Sequence, residues 1–134
     1  MAAALGRIIN VMWRRLMQPY GGSKAANEAI VTALAAELEG SGVTANVLVP
    51  GGAADTRLVP RSMALDRSQL IPPGVMVTPL LWLCSNGSDG VNGQRFIAMR
   101  WDVSLPPEEA AKKAGAPAAW QQLGRQAIMP ERMR

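Results

Sequence analysis

Tyr20 and Lys24 are the side chains of this sequence best placed for proton chemistry. They bracket Tyr20-Gly-Gly-Ser-Lys24 at the head of an alanine-rich stretch with helical periodicity. Residues four apart on a helix share a face, so the lysine ammonium can lie against the phenol. A free phenol titrates near 10, and a neighbouring ammonium favours its ionised form. Lowering such a group to neutrality takes about 4 kcal/mol of differential stabilisation. A tyrosine held in that way can pass a proton to or from a substrate oxygen. Other reactive groups are scarce. The single cysteine, Cys84, excludes an internal disulfide and reads as a small buried apolar residue. There is no histidine, so no zinc-site spacing exists and no metal is implied.

The elements that must position this pair follow from pattern. Arg7-Ile-Ile-Asn-Val11, beside Gly6, is a β-branched run that reads as a buried parallel strand. Residues 12–19 connect it to a helix from about Tyr20 to Leu38. In that helix Ala26, Ile30, Ala33, Leu34 and Leu38 fall on one face, with Glu28, Thr32 and Glu39 elsewhere. Gly40-Ser-Gly42 stops the helix. Val43 to Val49 is a second β-rich run, ended by Pro50-Gly51-Gly52. Residues 53–73 read as irregular, with a short helix near Arg61–Asp66, and Pro73 opens a second apolar, buried helix through about Ser85. Gln94 to Met99 is a third strand; beyond it lies a tail with a short helix over Pro107–Ala114.

Strand–helix alternation with short connections predicts right-handed crossovers and a parallel sheet. Three strands and two long helices make a small sheet, which reads as part of a larger one. The expected fold class is α/β, a partial doubly wound parallel sheet with an irregular C-terminal tail. A chain of 134 residues suffices for one domain, with a core over 5–100 and a tail over 101–134. Gly40-Ser-Gly-Val-Thr-Ala45 matches the dinucleotide fingerprint, but it follows a helix and enters a strand, the reverse of the required context.

Composition narrows the function classes. With 49% hydrophobic and 18% charged residues the chain is globular in type. Its longest apolar run, Val75 to Cys84, is interrupted by Pro79 and too short to cross a bilayer, so no membrane partner is expected. Met1 to Asn27 carries four basic and no acidic residues, yet its first serine is Ser23, which argues against a transit peptide; with a single cysteine, a reducing cytoplasm is the natural setting. The net charge of +4 is scattered apart from Arg14–Arg15 and a tail of Arg125, Arg132 and Arg134. Aromatics are not interleaved with it, and nucleic acid is not expected as a partner.

Three segments in order carry a family resemblance: Gly6-Arg-Ile-Ile-Asn-Val11, then Tyr20-Gly-Gly-Ser-Lys24, then Val43-Thr-Ala-Asn-Val-Leu-Val-Pro-Gly51 followed by Asp55-Thr56. Over residues 5–100 the chain resembles the carboxyl-terminal half of a short-chain dehydrogenase/reductase. The resemblance implies a Rossmann-like fold and hydride transfer between NAD or NADP and a small alcohol or carbonyl substrate. It implies that Tyr20 is the general acid/base and that Lys24 activates it and holds the nicotinamide ribose. It further implies that Pro50 and Gly51 line the nicotinamide pocket and that Thr56 contacts the carboxamide or phosphates.

The sequence also departs from the family. The glycine-rich loop and the family's catalytic asparagine are absent. No serine or threonine occurs between Met1 and Gly22, where the family places the serine that binds the substrate carbonyl. The loop 12–19 is shorter than usual, and Ile97-Ala-Met-Arg-Trp-Asp102 replaces the usual Asp-Gly-Gly ending. Whether such a chain is an active enzyme is therefore left open. The alternative is an inactive relative acting through subunit association, as a homo-oligomer or by pairing with another family subunit across an exposed sheet edge.

Overall fold

The computed structural model describes residues 7–11, 18–63 and 66–119. Seven regular elements follow one another among them: β1 (Arg7–Val11), α1 (Gln18–Glu37), β2 (Thr44–Val49), α2 (Val77–Leu83), β3 (Gln94–Ile97), α3 (Pro107–Ala114) and β4 (Gly115–Pro117). The strands form one sheet in chain order, β1-β2-β3-β4; the first three are parallel and β4 runs antiparallel to β3. Ile8 stands opposite Ala45, and Leu48 opposite Phe96. Every residue of β2 is buried, which is why that strand reads as a near-continuous apolar run and not as an alternation.

The sheet separates two apolar layers. Ala45, Val47 and Val49 of β2 pack with Val31 and Ala35 of α1. Leu48 points the other way and packs with Leu83 of α2, Phe96 of β3 and the alanines of α3. Because successive strand residues face opposite sides, α1 and α2 lie on opposite faces, and the sheet is doubly wound. The order β1-β2-β3 advances in one direction while the connecting helix changes face. The two crossovers therefore have opposite hands, and one of them departs from the right-handed rule that the sequence pattern predicts.

Two amides, the buried Asn46 and the half-buried Asn92, stitch the amino ends of these strands. Asn46 Nδ2 donates to the Val91 carbonyl (2.7 Å) and its Oδ1 accepts from the Gln94 amide (3.0 Å). Asn92 Oδ1 accepts from the Ala45 amide (2.9 Å) and its Nδ2 donates to the Ala35 carbonyl (2.7 Å). Both side chains are satisfied on donor and acceptor sides, so they fix register at little desolvation cost.

Several expectations need correction. The tail is not irregular up to Pro117, since α3 runs into β4 and β4 adds an antiparallel edge to the sheet. Gly115 permits that join, because a Cβ there would meet the Ala111 carbonyl oxygen and Phe96 Cε1, both at 2.8 Å. The second helix is short: a 3-10 turn over Pro73–Met76 leads into seven α residues. It is also half exposed, burying Pro79 and Leu83 while Val77, Leu80 and Leu81 face outward. Cys84 is exposed, not buried.

The buried face of α1 also differs in part from the one expected. Ala26, Ile30 and Ala33 are exposed, Leu34 and Leu38 are half-buried with Leu34 packed against the core, and Glu28, Val31 and Ala35 form the buried stripe. Glu28 goes inside because it has partners there. Its Oε1 lies 3.4 Å from Arg95 Nε on β3 and accepts from the Ala119 amide at 3.2 Å. A carboxylate with a charged and a backbone donor tolerates burial that an unpaired one would not.

Candidate active site

α1 begins two residues before Tyr20, so the phenol sits in the first turn. Pro19 is tolerated there because the amide it lacks has no helical partner at that position. Tyr20 and Lys24 are both half-buried. Lys24 Nζ lies over the tyrosine ring, 5.5 Å from its centroid, within the range of an attractive cation–π contact. The four-residue spacing is realised as a direct contact on one helix face. The first turn is further held by Ser23 Oγ, which donates to the Tyr20 carbonyl at 2.8 Å.

Topology decides what this pair can face. β1 and β2 are parallel, so α1 must start at the carboxyl edge of the sheet and return to the amino edge. Pro50 and Gly51 end β2 at the same carboxyl edge. In open α/β sheets that edge forms the ligand crevice.

Pro50 is buried, and its carbonyl accepts from the Met99 amide at 3.1 Å, continuing the β2–β3 pairing past Val49 and Ile97. Gly51 is exposed and adopts φ +107°. A Cβ on Gly51 would come within 2.8 Å of Ile97 Cγ2 and 3.3 Å of Met99 Cβ. Only glycine satisfies both the backbone angle and the close approach.

Thr56 lies five residues further on, exposed, in a turn of its own. Its Oγ1 accepts from the Leu58 amide (3.3 Å) and its amide donates to the Ala54 carbonyl (2.8 Å). The loop that carries it is pinned. Ala54 bridges Ile71, and the Asp55 amide donates to the Ile71 carbonyl at 2.8 Å. Arg67 pairs with the Asp55 carboxylate and donates to the carbonyls of Thr56 and Val59, each at 3.3 Å.

Arg67 is thus an organising residue that sequence reasoning missed. Asp55 and Arg67 stand twelve apart in a polar stretch without periodicity, and nothing in their spacing marks them as partners. Residues 12–17, where the family's serine would be sought, and the far tail from residue 120 lie outside the described residues.

The dinucleotide-like Gly40–Ala45 segment is a helix-to-strand turn, with Gly40 and Gly42 at φ +77° and +81°. It lies at the sheet's opposite edge from Tyr20, as its context implies.

Among solved structures, the chain is similar to a protein from Pseudomonas syringae provisionally assigned as a short chain dehydrogenase, with a TM-score of 0.61 and 28% sequence identity. The similarity covers 71% of this chain and 41% of that one, so the chain spans well under half the relative's length. No protein-family model and no curated protein matches the chain. Fold and sequence together make this chain similar to a short-chain dehydrogenase, with a partial Rossmann-like sheet.

Proposed function

We propose that the chain is the carboxyl-terminal part of an NAD- or NADP-dependent oxidoreductase of the short-chain dehydrogenase/reductase type, acting on a small alcohol or carbonyl compound. The observation that carries this reading is the Lys24 ammonium over the Tyr20 ring, at the carboxyl edge of a dehydrogenase-like sheet.

The donor set fits one end of the cofactor. A phenol, an ammonium, the Cβ-free backbone of Gly51 and the Thr56 hydroxyl suit a nicotinamide and its ribose. Among the described residues no glycine-rich turn leads from a strand directly into a helix, so the diphosphate end finds no such cradle within them. Bound nicotinamide supplies or accepts the hydride. Tyr20 gives its hydroxyl proton to the substrate oxygen in reduction, or takes the proton back in oxidation. Lys24 stabilises the charge left on the phenolate and offers hydrogen bonds to the ribose. Pro50 and Gly51 form a flat wall for the nicotinamide ring, and Thr56 donates to its carboxamide or to a phosphate.

The test is turnover with NAD(P)H and a panel of small ketones and aldehydes, comparing the protein with Tyr20→Phe. Phenylalanine keeps the ring under Lys24 and removes the transferable proton, so activity falls by about 100-fold or more. Undiminished turnover in Tyr20→Phe would end this assignment.

A second reading rests on the absence of serine and threonine between Met1 and Gly22. Without that hydroxyl the substrate oxygen loses a donor, and the chain would act by associating with itself or with a related subunit. Co-purification with a full-length relative, with no nicotinamide binding, would favour it.

A further inference from the structure

A second concave site lies away from Tyr20, among α2, β3, α3 and β4. It is a cavity of about 470 Å³, within the range of small-molecule sites, and its wall is mainly apolar. Gln94 and Pro117, which pair across β3 and β4, both line it. That places it toward the amino end of β3, whereas Tyr20 belongs to the carboxyl edge. The oxidoreductase reading makes no use of it.

The chemistry of its wall is specific. Trp82 and Phe96 meet edge to face there, with ring centroids 6.0 Å apart at 70°. Trp101 also packs on the indole, with centroids 5.4 Å apart at 54°. These contacts fix the ring, yet Trp82 Nε1 is buried with no hydrogen-bond partner. Indole nitrogen is a donor only, and a buried donor left unpaired is costly.

Gly87 lines the same cavity and lies close to this nitrogen: an added Cβ there would stand 3.0 Å from Trp82 Nε1. The exposed Glu108 and Lys112, four apart on α3, bring one charge of each sign to the lining, which therefore favours neither anions nor cations.

We propose that this cavity binds an uncharged, mainly apolar molecule bearing one carbonyl-type oxygen, which accepts the Trp82 indole hydrogen while the apolar body packs on Phe96 and α3.

The experiment uses the ¹⁵N-labelled full chain and acetanilide, an aryl amide with no reducible ketone. Propylbenzene, which lacks the oxygen, is the control. Four tryptophans give four indole signals, and Trp82→Phe identifies the one that matters. Acetanilide is expected to move that signal saturably and to bind about fivefold more tightly than propylbenzene, the worth of one ordinary hydrogen bond.

Gly87→Ala, which needs no unusual backbone angle and crowds Trp82 Nε1 with a methyl group, is expected to weaken acetanilide binding and abolish the advantage over propylbenzene. It also keeps the test decisive if Trp82→Phe folds poorly. An unmoved Trp82 signal, equal binding of the two probes, or acetanilide binding unaffected by Gly87→Ala would each overturn the proposal. None of these outcomes bears on nicotinamide binding at Tyr20.

Discussion

At the scale of single residues, the site depends on groups with narrow tolerances. Gly51 is the clearest. Its φ of +107° and the 2.8 Å approach to Ile97 leave no room for a side chain. Gly51→Ala is expected to cost roughly 1–3 kcal/mol in urea denaturation and, if Pro50 and Gly51 form the nicotinamide wall, to weaken NADH binding as well.

Two exposed carboxyls give acid sensitivity of predictable sign. Ser104 Oγ and then the Ser104 amide hold Asp102 below the usual carboxylate range, and the Ser68 hydroxyl and amide do the same for Asp66. A depressed folded-state value means the contribution is complete above the unfolded value of about 4. It is then lost as pH falls through the lower folded values. Asp102→Asn should flatten the stability profile below about pH 4 and leave its neutral region alone. A variant with an unchanged acid limb would contradict this.

At the scale of elements, what was legible depended on whether a neighbour overrode the local pattern. α3 was readable over Pro107–Ala114 because proline starts it, acids occupy its first turn and lysines its last. β2 was readable because a buried parallel strand is apolar on both sides. The face of α1 was not, since Glu28 is drawn inside by Arg95 and the Ala119 amide, and both lie more than sixty residues away in sequence. β4 was invisible because three residues with proline and glycine carry no strand signal. Only the pairing with β3 makes them a strand.

Glu28→Ala would leave Arg95 and the Ala119 amide unpaired. It is expected to cost about 1–3 kcal/mol of stability, read from the denaturation midpoint at constant slope. Glu28→Gln should recover part of this, because the amide oxygen can still accept from Ala119.

At the scale of the whole molecule, the candidate site was more legible than its surroundings. The Tyr20–Lys24 spacing and the strand-ending Pro50-Gly51 are local signals, and the topology sets both at one sheet edge. The opposite hands of the crossovers, and Arg67 pinning the Thr56 loop, are properties of the assembled fold and leave no trace in spacing. Among the described residues β1 pairs only with β2, which leaves a strand edge able to template another chain. Association is therefore expected, and light scattering at micromolar concentration should read above one chain mass; a monodisperse monomer would contradict it.

The central claim is that Tyr20, Lys24, Pro50, Gly51 and Thr56 form a nicotinamide site. It is tested most directly by titrating the protein with NADH and NADPH while following energy transfer from tryptophan to the reduced nicotinamide. Saturable micromolar binding of at least one cofactor, weakened about tenfold or more by Lys24→Ala, is the result expected if Lys24 carries a charge-assisted hydrogen bond to the ribose. No binding up to millimolar cofactor, or binding indifferent to Lys24→Ala, would contradict the claim.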